Sequence, residues 1–416
     1  MPKPLTIAVR RVLQGIWRSR HSWPDWLNAV ADGLLSRAPD RVLRGLDRAV
    51  LGGAARIPGP AQAPDTDIRL YVAPANFAGQ GGQWARAVSR HVPGAGAVSM
   101  GFQGAGAFGF RADYPVDKDV YLYSGTWQRR QLRAVGRGFT HVLIEAERPL
   151  FGTFLGSVER EVATLARSGV RAAFVCHGTD IRLPSRHART HPFSPYRDGL
   201  LAQTPELERR ARENRRVLDR CGLPVFVSTP DLLLDVAEGH WLPVVVELER
   251  WKRSNPALTG PRPVVVHIPS KAIIKGTDLV DPILTALHDD GLIDYRRVEG
   301  VPSGDMPELY GSADIVVDQF RIGSYGVAAC EALASGRLVV SDVSEQVRAE
   351  VEAATGLALP IVQATAAELA EAIRRIVADP GHYRQVAEAG PRFVGEVHDG
   401  RYSARILAAH FLSTGA

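Results

Sequence analysis

Residues 312–343 constrain the fold most, reading S-A-D-I-V-V-D-Q-F-R-I-G-S-Y-G-V-A-A-C-E-A-L-A-S-G-R-L-V-V-S-D-V. The apolar run Ile315 to Val317 stops at Asp318 and Gln319. A loop holding Gly323, Ser324, Tyr325 and Gly326 follows, then a small-residue segment from Val327 to Ala334 that predicts a helix closed by Gly336. Leu338 to Val340 supplies the next strand. Strand, glycine loop, helix, strand is one right-handed βαβ unit, and ligands bind at the carboxyl end of its first strand. The loop is therefore the expected site: N–H groups at a helix start favour a phosphate, and glycine lets it approach the backbone. Glu331, one to two turns into the helix, is expected on the ligand side.

The 416 residues suggest two domains of about 200 residues. Apolar residues make up 45% and charged residues 23%, the balance of a soluble globular protein. No apolar run approaches the roughly 18 residues of a membrane span, and Arg10 and Arg11 interrupt the N-terminal run, so neither a membrane helix nor a signal peptide is expected. Cys176, Cys221 and Cys330 form no C-x-x-C pair, and the expectation is a cytoplasmic protein with reduced thiols.

Charge is concentrated at one end. The first fifty residues carry nine Lys/Arg against four Asp, whereas the remainder balances at 41 against 41. Leu5, Val9, Val12, Leu13, Ile16 and Trp17 share one helical face. Ser22 and Pro24 open a second helix through Trp26, Leu27, Val30, Leu34 and Leu35, and Asp40 a third through Val42, Leu43 and Leu46. Two readings of residues 1–50 stay open: a peripheral contact with anionic lipid, or an appendage packed on its own domain or on a second subunit of a homo-oligomer. A basic excess confined to the head, without an aromatic-interleaved groove, argues against a nucleic-acid partner.

Residues 53–66 read as a linker. Asp65-Thr66-Asp67 has D-x-D spacing but precedes a strand, so a turn is expected rather than a metal site. Strands are expected at Ile68–Ala73, Ala97–Met100, Val120–Tyr123, His141–Glu145, Ala172–Cys176, Val225–Ser228 and Val264–Ile268, with helices at Gly156–Arg167 and Glu206–Cys221. The alternation implies parallel α/β sheets. A second glycine loop, A-N-F-A-G-Q-G-G-Q-W, follows the first strand, but Trp84 stands where a dinucleotide fingerprint needs its third glycine. His177-Gly178-Thr179-Asp180-Ile181-Arg182 gathers polar groups at a strand's carboxyl edge, followed by a histidine-rich stretch, 186–195, expected to be poorly structured. His187 and His191 lack a third ligand for zinc. After a pause near 243–263, Lys275-Gly276 opens a helix reaching His288; a lysine there can neutralise a departing diphosphate.

The run G-S-Y-G-V-A-A-C-E-A-L-A-S-G resembles the sugar-nucleotide loop of retaining glycosyltransferases with the GT-B fold, family 4 in particular, and Lys275-Gly276 resembles their diphosphate-binding loop. That family carries Glu-x7-Glu; Glu331 matches the second glutamate, while Gly323 stands at the first, so its contact to the donor sugar is missing or supplied otherwise. The usual arginine of the diphosphate loop is also absent, with His267, Ser270 or Lys271 as substitutes.

The resemblance implies an α/β fold of GT-B architecture, two facing Rossmann-like domains with a helical N-terminal extension. Its expected parts are the extension and linker (1–66), an acceptor domain (67–250), a donor domain (251–400) and a C-terminal helix crossing back (401–416). It implies His177 and Lys275 as catalytic residues and no cofactor or metal. The donor would be held by Gly79, Gly81, Ser270, Lys275, Gly276, Ser324, Tyr325, Gly326, Val327 and Glu331. Asn76, Glu145, Arg148, Asp180 and Arg182 are the acceptor-side candidates. The implied activity is sugar transfer from a nucleotide sugar to an unidentified acceptor; the alternative is a GT-B binding protein without turnover.

Overall fold

The computed structural model describes residues 12, 15–16, 19, 22–52, 56–103 and 110–413. The first of the three expected head helices falls largely outside them. The chain divides into two compact units, the first formed by residues 1–176, 214–226 and 407–416, the second by 177–213 and 227–406.

The first unit carries strands β1 (Ile68–Ala73), β2 (Ala95–Gln103), β3 (Tyr114–Asp117), β4 (His141–Glu145), β5 (Arg171–Cys176) and β6 (Val225–Val227), in the sheet order β3-β2-β1-β4-β5-β6. Neighbours from β3 to β5 pair in parallel, Leu70 opposite His141 and Leu143 opposite Ala173. Strands buried on both faces read as continuous apolar runs, and Leu70 to Ala73, Val142 to Ile144 and Ala173 to Cys176 are all fully buried.

One expected strand is wrong. Val120 to Tyr123 lie in the helix Lys118–Tyr123, because Asp117 caps it, its carboxylate accepting from the N–H groups of Asp119 and Val120. The preceding four residues take the strand instead.

The head helices Asp25–Arg37 and Asp40–Leu51 also belong to this unit. Leu43, Val50 and Leu51 are buried, and buried Asp47 accepts from Ser124 Oγ at 2.9 Å and Thr126 N at 3.3 Å. Near the C-terminus, the Phe411 ring meets His141 edge-on at 5.1 Å.

The second unit holds the short strand β7 (His240–Trp241) and a parallel five-stranded sheet of β8 (Val264–His267), β9 (Asp294–Arg297), β10 (Ile315–Val317), β11 (Leu338–Ser341) and β12 (Ile361–Gln363), ordered β12-β11-β10-β8-β9. Val265, Ile315, Val317, Leu338 and Val340 form its core with Val280, Leu284, Leu369 and Ile373 from the flanking helices. The helix Val327–Ala334 joins β10 to β11. Both sheets thus have the parallel order of Rossmann-like units.

The stretch 186–195, expected to be poorly structured, is ordered. Residues 184–190 form a helix, and Arg186 makes two hydrogen bonds to the Asp235 carboxylate, at 2.8 and 2.5 Å. This ion pair with Asp235 fixes the segment despite its lack of apolar periodicity.

Candidate functional site

Within the second unit the carboxyl ends of β8 and β10 border a cavity of about 200 Å³ lined by His177, Thr179, Arg182, Tyr196, Thr229, Ile274, Lys275, Gln319, Ile322 and residues 324–328. Seven sequence candidates meet there: His177, Arg182, Lys275, Ser324, Tyr325, Gly326 and Val327. Asp180, Ser270, Gly276 and Glu331 lie in the same unit outside that lining, and Asn76, Gly79, Gly81, Glu145 and Arg148 belong to the first unit.

The cavity wall is built from β10 outward. Beyond Val317 the chain turns at Gln319, whose carbonyl accepts from Asp342 N at 2.9 Å and from Ser341 Oγ at 2.9 Å, and whose amide donates to the Ser324 carbonyl. The loop therefore folds back on the strand ends, and Gly326 begins the helix Val327–Ala334 at the cavity. The first N–H groups of a helix have no partner inside it, so this wall carries partial positive charge. The Tyr325 side chain turns inward: its ring meets His398 edge-on at 5.7 Å and its hydroxyl lies 3.3 Å from His398 Nε2, leaving the backbone to line the cavity.

Lys275 closes the short helix Ala272–Lys275 after β8. Its ammonium forms an ion pair with Asp318, at the end of β10, with side-chain exposures of only 14% and 4%. Half-buried Glu331 is held above the usual carboxylate range, pushed up to about 8 by burial, with Arg250 and Lys275 opposing and Asp318 reinforcing the shift. Lys275 thus lies in the field of two carboxyl groups, Asp318 and Glu331. Of the proposed substitutes for the missing arginine, His267 is excluded: it is fully buried, its Nδ1 2.8 Å from the Val317 carbonyl and its Nε2 2.9 Å from Thr277 Oγ1. Ser270 and Lys271 are exposed.

The opposite wall comes from residues 177–182. Asp180 shapes this turn, its carboxylate accepting from His177 N at 2.8 Å and Gly178 N at 2.5 Å. Arg182 pairs with buried Asp231, Nε at 3.1 Å and Nη2 at 2.5 Å from one carboxylate oxygen. Burial works against the Arg182 charge, but Asp231 and Tyr196 together outweigh it and hold the guanidinium above its ordinary value.

Sequence reasoning left Asp318 without a role, gave Thr179 none beyond its place in the polar run 177–182, and passed over Tyr196 and Thr229. A charged residue directly after an apolar strand was a usable signal for the first. Tyr196 and Thr229 join the site only through folding.

The first-unit candidates have local tasks. Glu145 is buried, and its Oε2 accepts from Ala75 N at 2.9 Å and Asn76 N at 2.7 Å. Asn76 Oδ1 accepts from Gly82 N at 2.9 Å, and the Arg148 guanidinium lies 4.9 Å from the Phe77 ring centre.

Comparison with known proteins matches this geometry. Residues 294–393 match the family model described as Glycosyl transferases group 1. No curated protein matches the sequence. Among solved structures, the fold resembles HepE of Anabaena in complex with UDP and glucose, with a TM-score of 0.54 and 13% identity over 84% of this chain and 100% of that one. Sucrose-phosphate synthase of Thermosynechococcus elongatus gives 0.51 at 13% identity over 82% and 97%, and a glycosyltransferase of Rickettsia africae 0.51 at 12% over 82% and 97%. The chain therefore has the GT-B glycosyltransferase fold. Its group 1 segment contains β10, the glycine loop and Glu331.

Proposed function

We propose that the protein is a retaining glycosyltransferase, independent of metal, that takes a nucleotide sugar in the second unit and an acceptor on the first. The observation that carries this reading is the convergence of Lys275 and the start of the helix Val327–Ala334 on one cavity. Both favour the negative charge that appears on a nucleoside diphosphate as its bond to the sugar breaks. In the reaction the anomeric carbon–oxygen bond ionises toward an oxocarbenium ion and the diphosphate keeps the electron pair. The acceptor hydroxyl attacks from the same face, and its proton passes to the leaving phosphate oxygen. Glu331 holds the ribose hydroxyls, and His177 approaches the transferred sugar.

A thermal-shift panel of uridine, guanosine and adenosine diphosphate sugars tests the reading, since a ligand of the folded state raises the melting temperature. A stabilising donor that is also hydrolysed without acceptor, with EDTA leaving the rate unchanged, supports a metal-independent enzyme. Binding without any turnover favours a GT-B binding protein instead. An inverted product anomer, read by NMR, would overturn retention.

A second observation bears on the head. Trp26, Val30 and Leu34, one helical turn apart, are 68%, 52% and 69% exposed, and Arg37, Arg41, Arg44 and Arg48 are exposed beside them in sequence. An apolar stripe flanked by arginines complements an anionic lipid surface, each arginine contributing about 1 kcal/mol near it. Among the described residues no helix is long and apolar enough to cross a membrane. We accordingly assign the enzyme to the cytoplasm, in reversible contact with the inner membrane face. Sedimentation with anionic vesicles at low salt, lost on Trp26→Ser/Leu34→Ser, supports this contact. Equal sedimentation of both proteins, or of neither, overturns it.

A further inference from the structure

The position where the resemblance expects an acidic residue is Gly323, and the structure shows what fills the space there. Gly323 has φ +69°, a left-handed value, and a Cβ built on it would lie 2.3 Å from His191 Nε2 and 2.6 Å from its Cδ2. No side chain fits at 323 with His191 in place. The imidazole edge takes that volume; Gly323 and His191 stand just behind the cavity lining, to which the flanking Ile322 and Ser324 belong.

His191 is held as a designed group would be. It follows the helix Pro184–Thr190, its N–H bonded to the His187 carbonyl at 3.0 Å. Its ring stacks on His187 at 4.1 Å with planes 8° apart, and its Nδ1 lies 2.9 Å from Thr190 Oγ1. His187 is fixed in turn, Nδ1 2.7 Å from Ser194 Oγ and Nε2 3.1 Å from the Ile322 carbonyl, which ties the helix to the glycine loop. Burial holds both imidazoles below their ordinary value, so His191 is neutral near pH 7 and its Nε2 edge offers one hydrogen bond.

We propose that His191 is the donor-sugar positioning residue of this protein, supplying from a separate helix the polar contact that no side chain at 323 can make. The inference rests on the donor-site reading above. It assigns to His191 a hydrogen bond with a hydroxyl of the transferred sugar, not with the nucleotide. The histidine and the glycine then form a pair: losing the side chain at 323 is what admits the imidazole.

The test separates sugar from nucleotide. Dissociation constants for UDP, GDP and ADP and for their glucose, galactose, N-acetylglucosamine and mannose conjugates are measured on the wild-type protein, His191→Ala, His191→Gln and Gly323→Ser. Each variant's thermal transition serves as the folding control. His191→Ala is expected to weaken the preferred nucleotide sugar about 10-fold while leaving the matching free diphosphate unchanged, the loss of one well-placed hydrogen bond. His191→Gln, which keeps a hydrogen-bonding group, should recover part of the loss, and Gly323→Ser, which displaces the imidazole, should reproduce it. Equal weakening of diphosphate and nucleotide sugar, or no weakening of either, overturns the role of His191 and leaves the donor site standing. Failure of the wild-type protein to bind any of these nucleotides overturns the donor site and the His191 role together.

Discussion

Two glycine loops follow the first strand of a βα step, one in each unit, and they use their backbone N–H groups in opposite ways. After β1 the chain bends through Asn76 to Gly81, and the protein's own Glu145 carboxylate takes the N–H groups of Ala75 and Asn76. After β10 the loop from Gly323 to Gly326 leaves its helix start on a cavity, with Lys275 among the lining. In the first an internal anion is already in place; in the second the positive wall faces open volume. A similar loop thus serves structure in one unit and, in the donor-site reading, a ligand in the other, and a glycine motif alone does not say which.

The comparison breaks most visibly at Lys275. Lys275→Ala should slow transfer and weaken nucleotide-sugar binding by about 100-fold, the scale of losing one charge-stabilising group; unchanged steady-state kinetics in the folded variant would remove the lysine from the site. On the other side, Glu145→Ala should leave donor affinity alone but cost about 2 kcal/mol of stability, because two N–H groups lose their acceptor. Chemical denaturation with and without nucleotide sugar reads both quantities, and a loss of affinity instead of stability would place Glu145 in the binding machinery.

Smaller effects sharpen the contrast. Gly81→Ala sets a methyl 3.1 Å from both Glu145 carboxylate oxygens, tighter than ordinary contact, and should cost about 1 kcal/mol of stability with unchanged donor affinity. Glu331→Gln should raise the donor dissociation constant a few-fold. It also has a pH signature. Folded Glu331 keeps its proton to about pH 8, while the unfolded side chain loses it near 4.5, so wild-type stability drains away as pH rises through that window. The glutamine variant should therefore melt at progressively higher temperature than wild type between pH 5 and pH 8.5. Parallel melting curves across that range would show that Glu331 is not held in its protonated form.

Much of the frame was legible in the sequence. Ile68–Ala73, His141–Glu145, Ile315–Val317 and Val327–Ala334 fall where apolar runs and small-residue periodicity put them, because strands buried on both faces leave little room for polar residues. Val120 to Tyr123 failed because β-forming side chains were outweighed by the single cap at Asp117. Residues 184–190 failed because that helix is fixed by charged contacts, such as Arg186 with Asp235. Within the site, Lys275 and the glycine loop were readable as local motifs. Their pairings were not: Asp318, visible after its strand, is 43 residues from Lys275, and His191 reaches Gly323 across more than a hundred. Spacing carries no trace of such pairs.

The ion pair between Lys275 and Asp318 makes the proposed donor site an exchanger of anions. An arriving anion must take the ammonium from a carboxylate that already holds it, and Asp318, almost without exposure, cannot turn to water in compensation. A single negative charge, such as chloride or a lone carboxylate, merely replaces one partner by another and gains little. A diphosphate brings enough charge to engage the ammonium and the helix start together. In the donor-site reading the pair thereby favours a diphosphate over singly charged anions while keeping the lysine aimed.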